Sequence, residues 1–365
     1  MGARLAVDKN ALEKNYRKLC DVCKTEVIPV LKSNAYGLGI LQVAGVFAGL
    51  GVKRIAVSRV PEAELLANLG TDTEIILLSS TDFSEDAERA VRSGATVACG
   101  SLNAMKLINA VSERFGKKTN VHLLIDTGFG HSGLCEPEYA KAAELLPILR
   151  YVTVTGIFTQ FSESHSAKPL YTELQNERFE KAVRYFTPRL AEKPLVHAAN
   201  TCAALKYPET RYDAVRVGSG LLGRIPGGGR NASLQKIGYL ECEIAEIKVI
   251  EKGQYVGYSR QFKAKRETKV ALLHTGLADG IAGGRLQYGR GPIRKLADAL
   301  HGLAGIFGDE RVFGSIGGKK VPAIGKISQH CLALDVTDIE CAVGDTVRFE
   351  VNTLFVPASV ERRYF

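Results

Sequence analysis

The apolar positions of the first 220 residues form short runs that are separated by amphipathic segments. The runs with strand character are 27–31, 54–58, 74–79, 95–99, 120–126, 153–159, 195–198 and 213–217. Helix-like segments lie between them, at 60–70, 84–93, 102–115, 136–149 and 172–186. This alternation predicts an α/β fold with a (β/α)8 barrel of the TIM type, although an open doubly wound sheet gives the same alternation with fewer strands.

The pattern changes after the glycines at 227–229. Polar and apolar residues then alternate with period two in runs that Gly-rich turns separate, at 239–250, 269–274, 320–327, 331–336 and 346–351. This period is typical of antiparallel strands that are buried on one face. We therefore predict two domains, a barrel at residues 1–230 and a mainly antiparallel, β-strand-rich C-terminal domain at residues 231–365.

Composition narrows the class of protein. The chain is 45% hydrophobic and 24% charged, which is typical of a globular protein and excludes a disordered or fibrous one. No apolar run reaches the roughly 18 residues that a spanning helix needs, and the first residues lack a secretory signal, so we expect no membrane segment and a cytoplasmic location. The net charge is +9, but the basic residues are scattered, so we expect no nucleic-acid binding.

The cysteines indicate neither a disulfide scaffold nor a metal site. Eight cysteines in 365 residues are too few for the dense pattern of small secreted proteins. The one close pair, Cys20 and Cys23, has no second pair of Cys or His residues to complete a zinc site. We therefore predict reduced thiols and no metal.

Candidate chemistry gathers where the barrel strands end, because the carboxyl ends of the strands carry the active sites of such barrels. Lys32 follows the first predicted strand and is either an exposed loop lysine or a Schiff-base nucleophile. After the last two predicted strands, Thr201 and the turn at 218–220 offer a hydroxyl and backbone N–H groups to a phosphate. A lysine and a phosphate cradle in one barrel mouth together suggest pyridoxal phosphate.

Residues 30–39, VLKSNAYGLG, resemble the pyridoxal-phosphate motif of alanine racemases. Further segments resemble the same family in the same order, at 126–130, 197–201, 215–218, 256–258 and 276–280. Because several spaced motifs match along most of the chain, the protein is identified as a member of this family. The resemblance implies a fold-type III pyridoxal-phosphate enzyme that works as a head-to-tail homodimer on a small amino-acid substrate, with each active site shared between two chains.

The resemblance also implies roles for individual residues. The residues implied to bind the cofactor are Lys32, Tyr36, Asn200, Thr201, Arg216, Gly218 and Ser219. Arg216 would face the pyridine nitrogen of the cofactor. A guanidinium that keeps its proton at this place weakens the cofactor ring as an electron sink and so suppresses side reactions. Lys32 and the partner chain's Tyr258 would lie on opposite faces of the substrate Cα, so that one removes a proton and the other returns one.

Departures from the family cluster around the substrate. A family lysine that is often carbamylated falls at Leu124, and an entrance tyrosine falls at Leu277. The family's substrate-shell Arg, its cofactor-side His and its Met-Asp pair fall at His131, Gln160, Gln329 and His330, which we predict to bind substrate. This pattern favours a racemase whose substrate is other than, or broader than, alanine, with a bulkier polar or anionic side chain. Compensated drift and loss of activity are the alternatives.

Other functions are compatible with the same cofactor. Fold-type III barrels also host decarboxylases, which carry a reactive cysteine near the position of Cys331. A non-catalytic pyridoxal-phosphate-binding protein is another alternative, but such proteins resemble the barrel alone. The β domain that carries Tyr258 therefore favours the racemase.

Overall fold

The computed structural model describes residues 2–166, 170–225, 234–283 and 312–365. The chain divides into two compact units. One unit is Lys9–Ile237, and the other combines the chain up to Asp8, with strand β1 (Arg4–Val7), and Gly238–Phe365. The predicted domain boundary between residues 230 and 231 lies outside the described residues.

The first unit is built on eight parallel strands. They are β2 (Glu26–Pro29), β3 (Arg54–Val57), β4 (Glu74–Leu77), β5 (Thr96–Cys99), β6 (Thr119–Leu124), β7 (Val152–Phe158), β8 (Leu195–His197) and β9 (Ala214–Val217). Their order in the sheet is β2-β9-β8-β7-β6-β5-β4-β3. A parallel bridge between Val30 and Ala56, and a 2.8 Å hydrogen bond from the Leu31 N–H to the Ala56 carbonyl, join β2 to β3. These contacts close the ring, so the predicted (β/α)8 barrel is confirmed.

Helices connect the barrel strands. They are α1 (Lys9–Cys23), α2 (Lys32–Tyr36, a single left-handed turn), α3 (Ile40–Gly49), α4 (Val60–Ala67), α5 (Ser84–Ser93), α6 (Leu102–Arg114), α7 (Tyr139–Leu145), α8 (Leu170–Phe186) and α9 (Thr201–Lys206). The barrel strands are almost wholly buried, and a cluster of small and branched side chains packs in the core, at Ile28, Val30, Ala56, Ile76 and Ala214. In the ranges that the structure describes, no helix has both the length and the apolar character needed to cross a membrane.

The second unit is mainly antiparallel, as predicted. Its remaining strands are β10 (Gly238–Ile250), β11 (Tyr255–Val256), β12 (Phe262–Lys263), β13 (Thr268–Leu273), β14 (Phe313–Ile316), β15 (Lys319–Ile324), β16 (Leu332–Asp335), β17 (Thr346–Phe349) and β18 (Glu361–Tyr364). The main sheet has the order β13-β16-β15-β14-β17-β10-β1-β18, and β10 also pairs with β13. Among the described strands of this unit, β10 is the longest, and it pairs with β1, β13 and β17.

Strand β1 belongs to this second unit and not to the barrel. It pairs antiparallel with β10, with Arg4 opposite Glu241, and parallel with β18, with Arg4 opposite Glu361. The prediction that the barrel domain starts at residue 1 did not include the pairing of β1 with strands of the second unit. This pairing joins residues more than 200 positions apart, which no local alternation of polar and apolar residues can indicate.

Candidate active site

A cavity of about 290 Å³ opens at the carboxyl ends of the barrel strands. The loops that follow β2, β7, β8 and β9 contribute to its lining, as the position of active sites in such barrels requires. Eight of the predicted site residues line this cavity together: Lys32, Tyr36, Gln160, Asn200, Thr201, Arg216, Gly218 and Ser219.

A strained turn follows Lys32 directly. Residues 33–36 are not glycines, yet all four have φ between 52° and 56°. This left-handed conformation costs about 1–2 kcal/mol per L-residue, so the surrounding structure must hold the turn in place. Within it, the Ala35 N–H donates to the Leu31 carbonyl at 2.8 Å, and the Asn34 side-chain oxygen accepts from the Ile40 N–H at 2.8 Å. Lys32 and Tyr36, which begin and end the turn, both reach the cavity.

The far end of the cavity is suited to a phosphate. The N–H groups of Gly218 and Gly220 donate to Thr201 Oγ1 at 3.4 and 3.3 Å, and because both bonds use this oxygen as acceptor, the Thr201 O–H can donate to an anion. Burial raises the pKa of Tyr36 to about 12, so its phenol is a neutral donor at neutral pH. A Cβ at position 218 would lie 2.0 Å from the Tyr36 hydroxyl, so the close approach requires glycine.

Asn200 acts on this cradle through the backbone. Its side-chain oxygen accepts hydrogen bonds from the Cys202 and Ala203 N–H groups, both at 3.1 Å, and from Ser164 Oγ at 2.8 Å. It therefore caps the amino end of α9 and positions Thr201, the first residue of that helix.

Arg216, on β9, is a buried cation. Its Nη1 donates to the carbonyl and Nδ1 of His197 at 2.9 and 2.8 Å, and its Nη2 donates to the carbonyls of Thr159 and Ala198 and to Gln160 Oε1 at 2.6, 3.1 and 3.1 Å. All of these acceptors are neutral. Burial lowers the pKa of Arg216 to about 9, which still leaves the guanidinium charged at neutral pH. A charge held in this way attracts an electron-rich or anionic group in the cavity.

Two buried histidines extend from Arg216 into the barrel. Because the guanidinium can only donate, His197 accepts at Nδ1 and carries its hydrogen on Nε2. This nitrogen lies 2.9 Å from His122 Nδ1, which therefore accepts as well. Burial, together with the charges of Arg54 and Arg216, lowers the pKa of both imidazoles, that of His122 to about 3. Both rings are neutral; His197 accepts from Arg216, and His122 in turn accepts from His197.

These histidines make stability depend on pH in the acid range. The pKa of His122 is about 3 in the folded chain and 6.5 when exposed, so the unfolded chain binds more protons between these values. We expect the free energy of unfolding to fall as pH drops from 6.5 towards 3. In His122→Gln this dependence should be shallower by up to about 1.4 kcal/mol per pH unit. Urea unfolding at several pH values measures it, with the exposed His274 as control in His274→Gln. Equal slopes in wild type and His122→Gln would contradict this prediction.

The loop after β6 brings Phe129, and not His131, to the cavity. Asp126 Oδ1 accepts from the N–H groups of Gly128, Phe129 and Gly130 at 2.8, 2.9 and 3.2 Å. This turn points Phe129 inward, whereas His131 is exposed and does not line the cavity. The sequence motif indicated the turn, but not which side chain it presents.

Leu124 packs into an apolar cluster. It is 8% exposed and contacts the cluster formed by Ala98 and Phe158, against which Leu78 also packs. Leu78 lines the cavity, whereas Leu124, where the family resemblance places a lysine, lies in the apolar cluster behind it. Gln160, at the family's histidine position, accepts from Arg216 at 3.1 Å.

The remaining predicted residues lie on turns of the β unit. Tyr258 is 69% exposed, and Gln329 and His330 are exposed as well. The loop of Gln329 packs on the turn that begins at Gly276, because the N–H of Ala278 donates to the Gln329 carbonyl at 3.0 Å. A Cβ at Gly276 would lie 2.6 Å from that carbonyl oxygen, so glycine is required there too.

Comparison with known proteins identifies the family. Residues 7–226 match the family model described as alanine racemase, N-terminal domain, and residues 237–353 match alanine racemase, C-terminal domain. The chain belongs to the alanine racemase family. This assignment confirms the resemblance on which the site residues were chosen.

Relatives in the alanine racemase family match over nearly the whole chain. The alanine racemase of Methanococcus maripaludis is 27% identical over 348 residues, which are 93% of this chain and 87% of the relative. That of Methylacidiphilum infernorum is 30% identical over 343 residues, which are 93% of this chain and 81% of the relative.

Among solved structures, the alanine racemase of Clostridium difficile 630 has a TM-score of 0.86 at 22% identity, covering 100% of this chain and 96% of that one. The alanine racemase of Bartonella henselae with covalently bound pyridoxal phosphate has a TM-score of 0.81 at 22% identity, covering 100% of both chains. These structures share the fold.

Proposed function

We propose that this protein is a pyridoxal-phosphate-dependent amino-acid racemase in which Lys32 binds the cofactor. The family assignment makes the chain a racemase with this cofactor. The observation that carries the roles of individual residues is the barrel-mouth cavity, because it combines Lys32 with the Thr201–Gly218 cradle and the buried Arg216.

The residues around the cavity fit pyridoxal phosphate at both of its ends. The hydroxyls of Tyr36 and Thr201 and the backbone at Gly218 and Ser219 would hold the phosphate. Arg216, whose acceptors are all neutral, would face the pyridine nitrogen, and Lys32 would attach covalently. When bound, the cofactor draws electrons from the Cα of an amino acid and so acidifies its proton.

The side chains of the protein then account for racemisation. The Lys32 amine takes or returns the Cα proton on one face, and the Tyr258 phenol does the reverse on the other face. Transfer on opposite faces inverts the centre. Arg216 keeps its proton at neutral pH, since burial lowers its pKa only to about 9, and it would therefore leave the ring nitrogen of a bound cofactor unprotonated and limit side reactions.

We also propose that the site is shared between two copies of the chain. The support is the exposed position of Tyr258, at 69%, on a turn of the β unit together with the head-to-tail dimer that the family resemblance implies. A phenol that reaches across a subunit boundary must be exposed on its own chain.

The preferred substrate, we propose, is an amino acid other than alanine, although the relatives reported above are named alanine racemases. Leu124 is apolar and buried in a cluster, and His131 lies outside the cavity lining, so neither replaces the Lys and Arg of the family. A charge-assisted contact to a carboxylate is worth about 1.5–3 kcal/mol. Alanine has only a methyl group with which to recover that loss, whereas a larger side chain can make further contacts.

A panel of L- and D-amino acids tests the function and the substrate together. We expect racemisation in both directions, with alanine at least about tenfold slower than the best substrate, because about 1.4 kcal/mol corresponds to tenfold. Chiral chromatography, with exchange of the Cα proton in D₂O, measures turnover. The double variant Leu124→Lys/His131→Arg should raise alanine turnover and lower the preferred activity.

Two results would count against this proposal. If alanine is the best substrate of the unmodified protein, the departures from the family around the substrate reflect compensated drift and not a changed substrate. If no amino acid is racemised and the Cα proton does not exchange, the proposed activity itself is wrong. Phe129→Leu, which changes a cavity-lining side chain without adding charge, is a further control for the double variant.

A further inference from the structure

One carboxylate, that of Glu62, joins the turn after Lys32 to the next helix. Glu62 lies in the first turn of α4 and is 8% exposed. Its Oε2 accepts from the N–H groups of Ser58 and Arg59, both at 3.1 Å, which is the usual capping contact of a glutamate at this position. Its Oε1 accepts from the N–H groups of Ser33 and Asn34, at 2.6 and 3.4 Å.

The contact through Oε1 is not needed to cap α4. A capping glutamate needs to satisfy only the backbone at the start of its own helix. The second oxygen of Glu62 instead satisfies the first two N–H groups of the left-handed turn, at Ser33 and Asn34. Glu62 is itself buried, so these two N–H groups have an acceptor that is held in place, and an acceptor fixed at this point favours the turn over other conformations.

The turn determines where two cavity-lining side chains begin. Lys32 immediately precedes Ser33, and Tyr36 ends the same turn. Residues 33–36 are in a conformation that L-residues rarely adopt, so the turn persists only if its surroundings hold it. Glu62 is a buried, charged side chain that contacts the backbone of this turn at two successive N–H groups.

We propose that Glu62 is a positioning residue for the reaction, which holds the left-handed turn and thereby places Lys32 and Tyr36. Glu62 acts through the backbone of Ser33 and Asn34. The inference rests on the proposed function, in which Lys32 binds pyridoxal phosphate and Tyr36 its phosphate.

The variant Glu62→Gln tests this role, because the amide keeps the size of the side chain but replaces one acceptor oxygen by a donor. The matched control is Glu64→Gln on the same helix, whose carboxylate pairs with Arg89 at 2.9 and 2.6 Å. We expect Glu62→Gln to bind pyridoxal phosphate at least about tenfold more weakly and to lose kcat at least about tenfold, since small misplacements of catalytic groups cost up to about 100-fold. KM for the amino acid should change much less. Glu64→Gln should resemble wild type in all three.

Cofactor titration by absorbance, steady-state kinetics and urea unfolding distinguish the outcomes. If Glu62→Gln is less stable but binds the cofactor and turns over like Glu64→Gln, Glu62 is only a helix cap and the proposal is overturned. If Glu62→Gln does not fold, the same criteria apply to Glu62→Asp, whose side chain keeps the charge but is shorter by one methylene. If neither variant folds, the proposal is also overturned. Failure of wild type to bind the cofactor would instead contradict the proposed function.

Discussion

Replacing Lys32 by alanine is expected to abolish covalent attachment of pyridoxal phosphate and to lower racemisation by at least about 10²–10⁴-fold, the range that a single acid–base group supplies. The reason is that Lys32 lines the cavity next to the strained turn and would serve as both the attachment point and one of the two bases. The visible absorption of the bound cofactor and peptide mass spectrometry after borohydride reduction measure the attachment, and chiral chromatography measures racemisation.

The control for Lys32→Ala is Lys53→Ala, which removes an exposed lysine just before β3, at the opposite end of the barrel strands. This variant should keep the absorption band and the activity. A reduced cofactor–peptide adduct found on any lysine other than Lys32, or full activity in Lys32→Ala, would contradict the assignment. The phosphate cradle should still hold the cofactor weakly in Lys32→Ala, because Thr201 and Tyr36 are unchanged.

Mixing two inactive variants should restore activity if the site is shared. Lys32→Ala and Tyr258→Phe each remove one of the two opposing groups, so each homodimer lacks a complete site. After random exchange of subunits, half of the dimers are mixed, and each of these has one intact site of two, so about a quarter of wild-type activity should return. Chiral chromatography before and after mixing measures the recovery.

Two controls make this complementation decisive. Mixing Lys32→Ala with the double variant Lys32→Ala/Tyr258→Phe should restore nothing, because no dimer then contains an intact lysine. Tyr255→Phe, on β11 near Tyr258, should be active by itself, since Tyr255 is 48% exposed and has no proposed role in proton transfer. Absence of recovery after exchange has been verified with differently tagged chains would contradict a shared site.

The barrel could be predicted because its strands are buried on both faces and appear as apolar runs. All eight predicted runs overlap observed strands, from β2 to β9. The residues that family motifs identified at or just after the ends of these strands also meet in one cavity, among them Lys32, Thr201 and Arg216. Position at the end of a strand was therefore enough to bring them together.

Other parts of the site could not be predicted, because they depend on contacts between distant segments. Glu62 resembles an ordinary capping residue, and only the structure joins it to Ser33. In the sequence His122 is an ordinary strand residue, and only the structure shows its hydrogen bond to His197. His131 was predicted to bind substrate from its offset to a motif, but the turn that Asp126 organises presents Phe129 instead. An offset along the chain does not give the direction of a side chain.

The pairing of β1 with distant strands of the second unit has a consequence for folding during synthesis. A ribosome makes β1 before the barrel that starts at Lys9, and only afterwards β10 and β18, which pair with β1 on its two sides. While the barrel is being completed, β1 has neither of its strand partners, and an unpaired strand edge can pair with another chain. The growing chain therefore has a strand open to intermolecular pairing at β1, on one edge until β10 emerges and on the other until β18 emerges.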